Sequence, residues 1–111
     1  MANAYYIFMI NKVQIAKALS DPIRYQIMLM LARREEGCCQ GPGTGYMQPG
    51  LCNCEIMAEL GMIQSRVSYH MKELAEAGLV TEEPRGKWKM YYLNTDTVRQ
   101  YIEQLKIDFL E

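Results

Sequence analysis

The chain has 111 residues, half of them hydrophobic, with 12 basic against 13 acidic side chains and a single histidine. That length fits one domain around one modest core, and the composition is too apolar and too balanced in charge for a disordered chain. No uncharged apolar run reaches the ~18 residues of a membrane span, and a net charge of −1 argues against a uniformly basic nucleic-acid coat while allowing a DNA binder whose cations are gathered on one face.

The opening residues lack a basic n-region and a small-residue cleavage site, so no secretion signal and a cytoplasmic location are expected. Tyr6, Ile10, Val13 and Leu19 place a loosely periodic helix over 5–19. Ser20-Asp21-Pro22 is a helix start: either polar side chain can cap, and Pro22 suits the first helical position. Behind it Ile23, Ile27, Met30 and Leu31 share one helical face. Arg33 and Arg34 fall in the last turn, and the Arg-Arg-Glu-Glu run reads as a solvated helix end. Residues 37–50 hold five glycines and two prolines in fourteen positions, a loop that carries Cys38 and Cys39. From Leu51 order resumes. Ile56, Met57 and Leu60 form a short helical face that Gly61 breaks, and Val67, Met71 and Leu74 form another that Gly78 ends. Leu79–Glu83 and Lys87–Leu93 read as two strands around a Pro84-Arg85-Gly86 turn. Val98, Tyr101, Ile102, Leu105 and Phe109 define a last amphipathic helix with Asn94 or Thr95 as its cap. The expected architecture is mainly α with a β-hairpin, in the order α-α-(loop)-α-α-β-β-α, with residues 1–111 forming one domain. Two helices around Gly61 followed at once by a hairpin make a winged helix-turn-helix.

The helix from about Gln64 to Ala77 turns its core stripe inward and leaves Ser65, Arg66, Tyr69 and Lys72 opposite. A merely solvated helix would carry mostly Glu and Lys there. Gln64 suits a bidentate pair with adenine and Arg66 with guanine. Ser65 and Ser68 can reach phosphates, as can the helix N-terminus itself. His70, beside the core stripe, is either a partly buried structural histidine or a phosphate contact. Arg85, Lys87 and Lys89 around the hairpin tip suit backbone or minor-groove contact. The expected DNA-binding set is therefore Gln64, Ser65, Arg66, Ser68, Tyr69, His70, Lys72, Arg85, Lys87 and Lys89. One recognition helix reads only a few base pairs, so a dimer with two of them spaced by ~34 Å is expected. With one histidine, no paired-carboxylate signature and no Cys-x-x-Cys on a βαβ frame, an enzyme is not expected.

Four segments, Lys17-Ala-Leu-Ser-Asp-Pro-Ile-Arg24, Leu60-Gly-Met-Ile-Gln-Ser-Arg-Val-Ser-Tyr-His-Met-Lys-Glu-Leu74, Ala77-Gly-Leu-Val80 and Arg85-Gly-Lys-Trp-Lys-Met-Tyr-Tyr-Leu93, occur in the order found in the ArsR/SmtB repressors, and the chain resembles that family over about residues 12–105. The resemblance implies a homodimeric winged helix with its terminal helices packed across the two-fold axis. It further implies an inverted-repeat operator in double-stranded DNA, released when an effector engages the protein. The family's recognition pattern falls on Gln64, Ser65, Arg66, Ser68, Tyr69 and His70. This chain departs from it at Ile63, where a capping Ser is frequent, at Arg66, where a small residue is usual, and at Tyr69, where His is usual.

Four cysteines point to the effector. Cys38 and Cys39 are adjacent, with Cα atoms ~3.8 Å apart across a trans peptide, so a disulfide between them is strained and easily reduced. Arg33 and Arg34 lie near in sequence and favour the thiolate that peroxide attacks. The leading expectation is a repressor released when Cys38 and Cys39 oxidise, with no cofactor. The alternative is release by As(III), Cd or another thiophilic ion held by Cys38, Cys39, Cys52 and Cys54. For that alternative the resemblance supplies a reason: Cys52-x-Cys54 matches the family's metal signature, although Met57 stands where a third Cys often lies. The family's other metal site, on the last helix, lacks its His here.

Overall fold

Asn11 opens the first described helix, α1 (Lys12–Leu19), by accepting a bond from the Gln14 amide through its side chain. The computed structural model describes residues 11–34 and 50–111. The N-terminal part of the first expected helix and most of the Gly/Pro-rich loop, with Cys38 and Cys39, lie outside the described residues. Asp21 caps α2 (Pro22–Ala32), accepting from the amides of Ile23 at 2.8 Å and Arg24 at 3.3 Å, with Pro22 in the first turn. The helix ends at Ala32, before the two arginines. Arg34 is not part of a solvated end: it is partly buried and ion-paired with Glu55, 21 positions on.

After the loop, β1 (Leu51–Cys52) leads directly into α3 (Asn53–Leu60). Gly61 closes α3 in the left-handed region (φ 62°), which only glycine adopts without strain. The recognition-helix candidate, α4 (Gln64–Glu76), follows, then β2 (Val80–Arg85), β3 (Trp88–Leu93) and α5 (Thr95–Leu110), the last capped by Asn94 through a bond from the Thr97 amide. The hairpin is longer than the sequence pattern suggests. Its tip is Gly86-Lys87, with Gly86 at φ 60°, so Pro84 and Arg85 belong to the ladder and Arg85 pairs with Trp88. Two-residue turns with a positive φ at the first position match the strand twist, which moves the tip by about one residue.

The sheet order is β1-β3-β2, all antiparallel, with Leu51 opposite Tyr91 and Cys52 opposite Met90. β1 has only two residues, too short for any alternation to reveal it in the sequence. The main core joins Ile15 and Ala18 of α1, Ile27 and Leu31 of α2, Ile56 of α3, Val67, Met71 and Leu74 of α4, and Leu79, Val80 and Tyr91 around the sheet. Each fully buried aliphatic side chain contributes about 1.5–3 kcal/mol, so the α4 stripe of three holds that helix firmly against α1 and α2. A second, smaller cluster gathers Cys52, Met90 and Tyr92, with Cys54 and Trp88 packed on it. Among the described residues, no helix is long and apolar enough to cross a membrane.

Candidate nucleic-acid interface

The N-terminus of α4 is open. Its cap residue, Ile63, makes no side-chain hydrogen bond and is 67% exposed. The first amides of the helix therefore point outward without a side-chain acceptor, at the positive end of the helix dipole. Gln64, Ser65, Arg66, Ser68 and Lys72 are all exposed, and Tyr69 is 57% exposed. These six expected contacts share the outer face of α4.

His70 does not belong with them. It is only 4% exposed and faces α2, so its role as a phosphate contact is corrected to a structural one. Its Nδ1 lies 3.1 Å from Arg24 Nη1. Arginine only donates, so Nδ1 accepts, and the ring is the neutral tautomer with its proton on Nε2. Arg24, itself buried, donates through Nε to the Ala18 carbonyl at 2.8 Å and lies 3.8 Å from Asp21 Oδ2. Burial lowers the His70 pKa below its ordinary 6.5, and the charges of Arg24 and Arg66 add to that against the opposing pull of Asp21 and Glu73. Position 70 lies next to the apolar stripe, and the Arg24 that meets it comes from 46 residues away. The i, i+3, i+4 pattern alone does not show that contact.

The wing cations differ from one another. Arg85 is bonded to Glu83 at 2.7 Å and Lys89 lies 3.6 Å from Glu82. On α4, Lys72 lies 4.0 Å from Glu76. Lys87, at the tip, sits over the Trp88 ring at 5.3 Å, a cation–π arrangement that leaves its charge outward. Among the described residues, Arg66 and Lys87 are the cations of this surface without a carboxylate partner. Between α4 and the wing runs a cleft of about 460 Å³ lined by Ser68, Lys72, Glu76, Glu82, Lys89 and Tyr91. Burial, helped by Glu82, pushes the Tyr91 hydroxyl up to about 12, so it remains a neutral donor in that cleft.

At the root of the wing, Cys52 and Cys54 are joined by a disulfide, with their Cα atoms 5.2 Å apart. Cys52 is the cap residue of α3. Its sulfur accepts from the Cys54 amide at 3.3 Å, and its own amide donates to Glu55 Oε1 at 3.3 Å. Between them Asn53 accepts from the Lys89 amide of β3 at 3.1 Å. Among the described residues, no group of three or more His, Cys, Asp or Glu side chains is arranged to hold a metal ion.

The helix-turn-helix and the start of the first wing strand fall within the match to the family model of bacterial regulatory proteins of the arsR family, which spans residues 47–82. An HTH-type transcriptional regulator of Methanocaldococcus jannaschii is 33% identical over 90 residues, covering 81% of this chain and 85% of that protein. The chain belongs to the ArsR family. The arsenical resistance operon repressor of Bacillus subtilis is another relative of this ArsR-family protein, 32% identical over 88 residues, covering 79% of this chain and 70% of the relative. The fold is shared with the homodimeric winged helix-turn-helix DNA-binding domain solved from Mycobacterium bovis, at a TM-score of 0.63 and 20% identity, covering all of this chain and 92% of that one. The chain is thus a winged-helix transcriptional regulator, mainly helical with a small three-stranded sheet.

Proposed function

We propose that this ArsR-family protein is a homodimeric repressor that binds an inverted-repeat operator in double-stranded DNA and leaves it in response to thiol chemistry. The observation that carries the proposal is the outer face of α4. An uncapped first turn, an unpaired Arg66 and an exposed set of amide, hydroxyl and phenol groups stand beside a wing whose tip is a lysine. Gln64 and Arg66 read base edges. Ser65, Ser68, Tyr69 and Lys72 position the helix against the backbone, as do Arg85, Lys87 and Lys89 for the wing. His70 acts through Arg24 from behind the helix.

The dimer is supported by a surface away from α4. Lys12 of α1 bonds Asp108 of α5 at 2.6 Å, bringing the first and last described helices together. Val13, Ile102, Phe109 and Leu110 on those helices remain more than half exposed. Exposed apolar side chains of this size are what an isologous interface covers. The M. bovis domain with this fold is described as homodimeric.

Release follows from oxidation of Cys38 and Cys39 by a peroxide. A specific observation favours a second reading. Cys52 and Cys54 sit side by side at one helix start, so as thiolates they are placed to take one soft ion such as As(III), with Cys38 or Cys39 as further ligands. The relative from B. subtilis is an arsenical resistance repressor. Mobility shifts on promoter DNA separate the readings. Reduced protein should bind, with Arg66→Ala and Lys87→Ala weakening it; unaltered binding in both variants would remove the DNA face from the proposal. Peroxide release that is abolished in Cys38→Ser/Cys39→Ser supports the first reading. Release by stoichiometric As(III) with thiolate-to-metal absorption supports the second.

A further inference from the structure

The Cys52–Cys54 bond lies where three connections of the fold meet. Cys52 ends β1 and pairs with Met90 of the wing strand β3. It also caps α3, the first helix of the helix-turn-helix. The intervening Asn53, itself buried, accepts from the backbone amide of Lys89 in the wing. Both sulfurs belong to the small cluster with Met90, Tyr92 and Trp88, and Trp88 carries Lys87 at the wing tip. A continuous packed path therefore leads from the disulfide to the cation expected to meet DNA.

This bond is poorly suited to be a staple. It joins residues only two positions apart, so it closes a minimal loop and removes little freedom from the unfolded chain. Its effect is local: it ties the cap of α3 to the first turn of the same helix.

We infer that Cys52 and Cys54 form a reversible redox site whose state sets the wing through Asn53 and Met90, separate from the Cys38–Cys39 pair. The chemistry stands by itself; its consequence for transcription rests on the DNA-binding reading above. Cys54 is half-buried and Cys52 is fully buried, so Cys54 meets the oxidant first. It lies in the first turn of α3, where the helix dipole favours a negative sulfur. The oxidant is a hydroperoxide. The Cys54 thiolate attacks its outer oxygen and the O–O bond breaks. A sulfenic acid remains on Cys54, and water or an alcohol leaves after taking a proton. The Cys52 thiol then attacks the Cys54 sulfur, the S–O bond breaks, the S–S bond forms, and water departs with the thiol proton. Two electrons pass from two thiols to one peroxide. A dithiol reverses the change by two successive exchanges, becoming a disulfide itself.

The test uses the full chain with Cys38→Ser/Cys39→Ser, leaving only the two cysteines in question. Peroxide should remove two hydrogens in intact mass. Peptide mapping should place the link between Cys52 and Cys54, and dithiothreitol should reverse it. In the oxidised form the Lys89 amide should exchange with solvent about tenfold more slowly than in the reduced form, with smaller changes along β3. Cys54→Ser should show neither the link nor the exchange difference. Full alkylation of both thiols after peroxide would overturn the inference, as would a link that leaves Lys89 exchange unchanged. In wild-type protein, peptide mapping after peroxide should find the same Cys52–Cys54 link without any substitution. Mobility shifts on the same samples keep the claims apart. Failure to bind DNA in either state would refute the repressor reading alone, because exchange at Lys89 reports on the wing without DNA.

Discussion

Replacing Arg24 by Met tests whether the buried contact with His70 fixes α4 in place. Arg24 is 7% exposed and serves two acceptors, the Ala18 carbonyl at 2.8 Å and His70 Nδ1 at 3.1 Å. Methionine fills part of the volume and leaves both acceptors without a donor. An unsatisfied buried polar group costs about 1–3 kcal/mol, and the apolar stem recovers some of that, so the expected loss is about 2–4 kcal/mol. His70→Phe removes the close acceptor of Arg24 Nη1, leaving it only Asp21 Oδ2 at 3.8 Å while Nε keeps the Ala18 carbonyl, for a loss of about 1–3 kcal/mol. The two losses share one hydrogen bond. The double variant should therefore fall short of their sum by about 0.5–2 kcal/mol. Urea unfolding of all four proteins at one protomer concentration measures this, since a dimer's stability depends on concentration. A loss for Arg24→Met below about 0.5 kcal/mol, the range of ordinary surface changes, would show that this contact does not hold α4. So would strict additivity.

Other outcomes follow from the same structure. Because burial holds His70 below its ordinary 6.5, the folded state favours the neutral ring; its contribution is complete above about pH 6.5 and is lost as pH falls through the lowered native value. The slope of stability against pH between neutrality and mild acid should therefore flatten in His70→Phe. Gly50→Ala should destabilise by about 1–3 kcal/mol, read by thermal unfolding, because its new Cβ would lie 2.5 Å from Cε1 of the buried Tyr92. Phe109→Glu, on the exposed face of α5, should shift the protein towards monomer in sedimentation, weakening association by about tenfold or more.

Much of the architecture was legible because strong local signals agreed with the tertiary answer. Asp21-Pro22 marked a helix start, Gly61 and Gly78 marked two stops, and the Val67-Met71-Leu74 stripe fixed which side of α4 faces outward. The same stripe was too coarse for His70: it flags position 70 as borderline and says nothing of an arginine arriving from another helix. The sequence points to a tip at Pro84 because proline reads as a turn residue, whereas the positive φ that the turn needs is supplied by Gly86. β1 was invisible because two residues carry no periodicity, and its pairing partner lies some forty positions away. Arg34 looked like a solvated helix end because its partner, Glu55, lies beyond the glycine-rich loop. The wing cations were legible as residues but not as partners: Glu82 and Glu83 neutralise two of the three expected lysine and arginine contacts.

Two-fold groove recognition by α4 is read directly by a hydroxyl-radical footprint of the reduced protein on its own promoter, repeated with Arg66→Ala. Two protected patches related by a two-fold axis are expected, with centres one helical turn or a multiple of it apart, about 34 Å per turn, and both should vanish together in the variant. A single unsymmetrical patch, or protection indifferent to Arg66, would contradict two-fold recognition by α4.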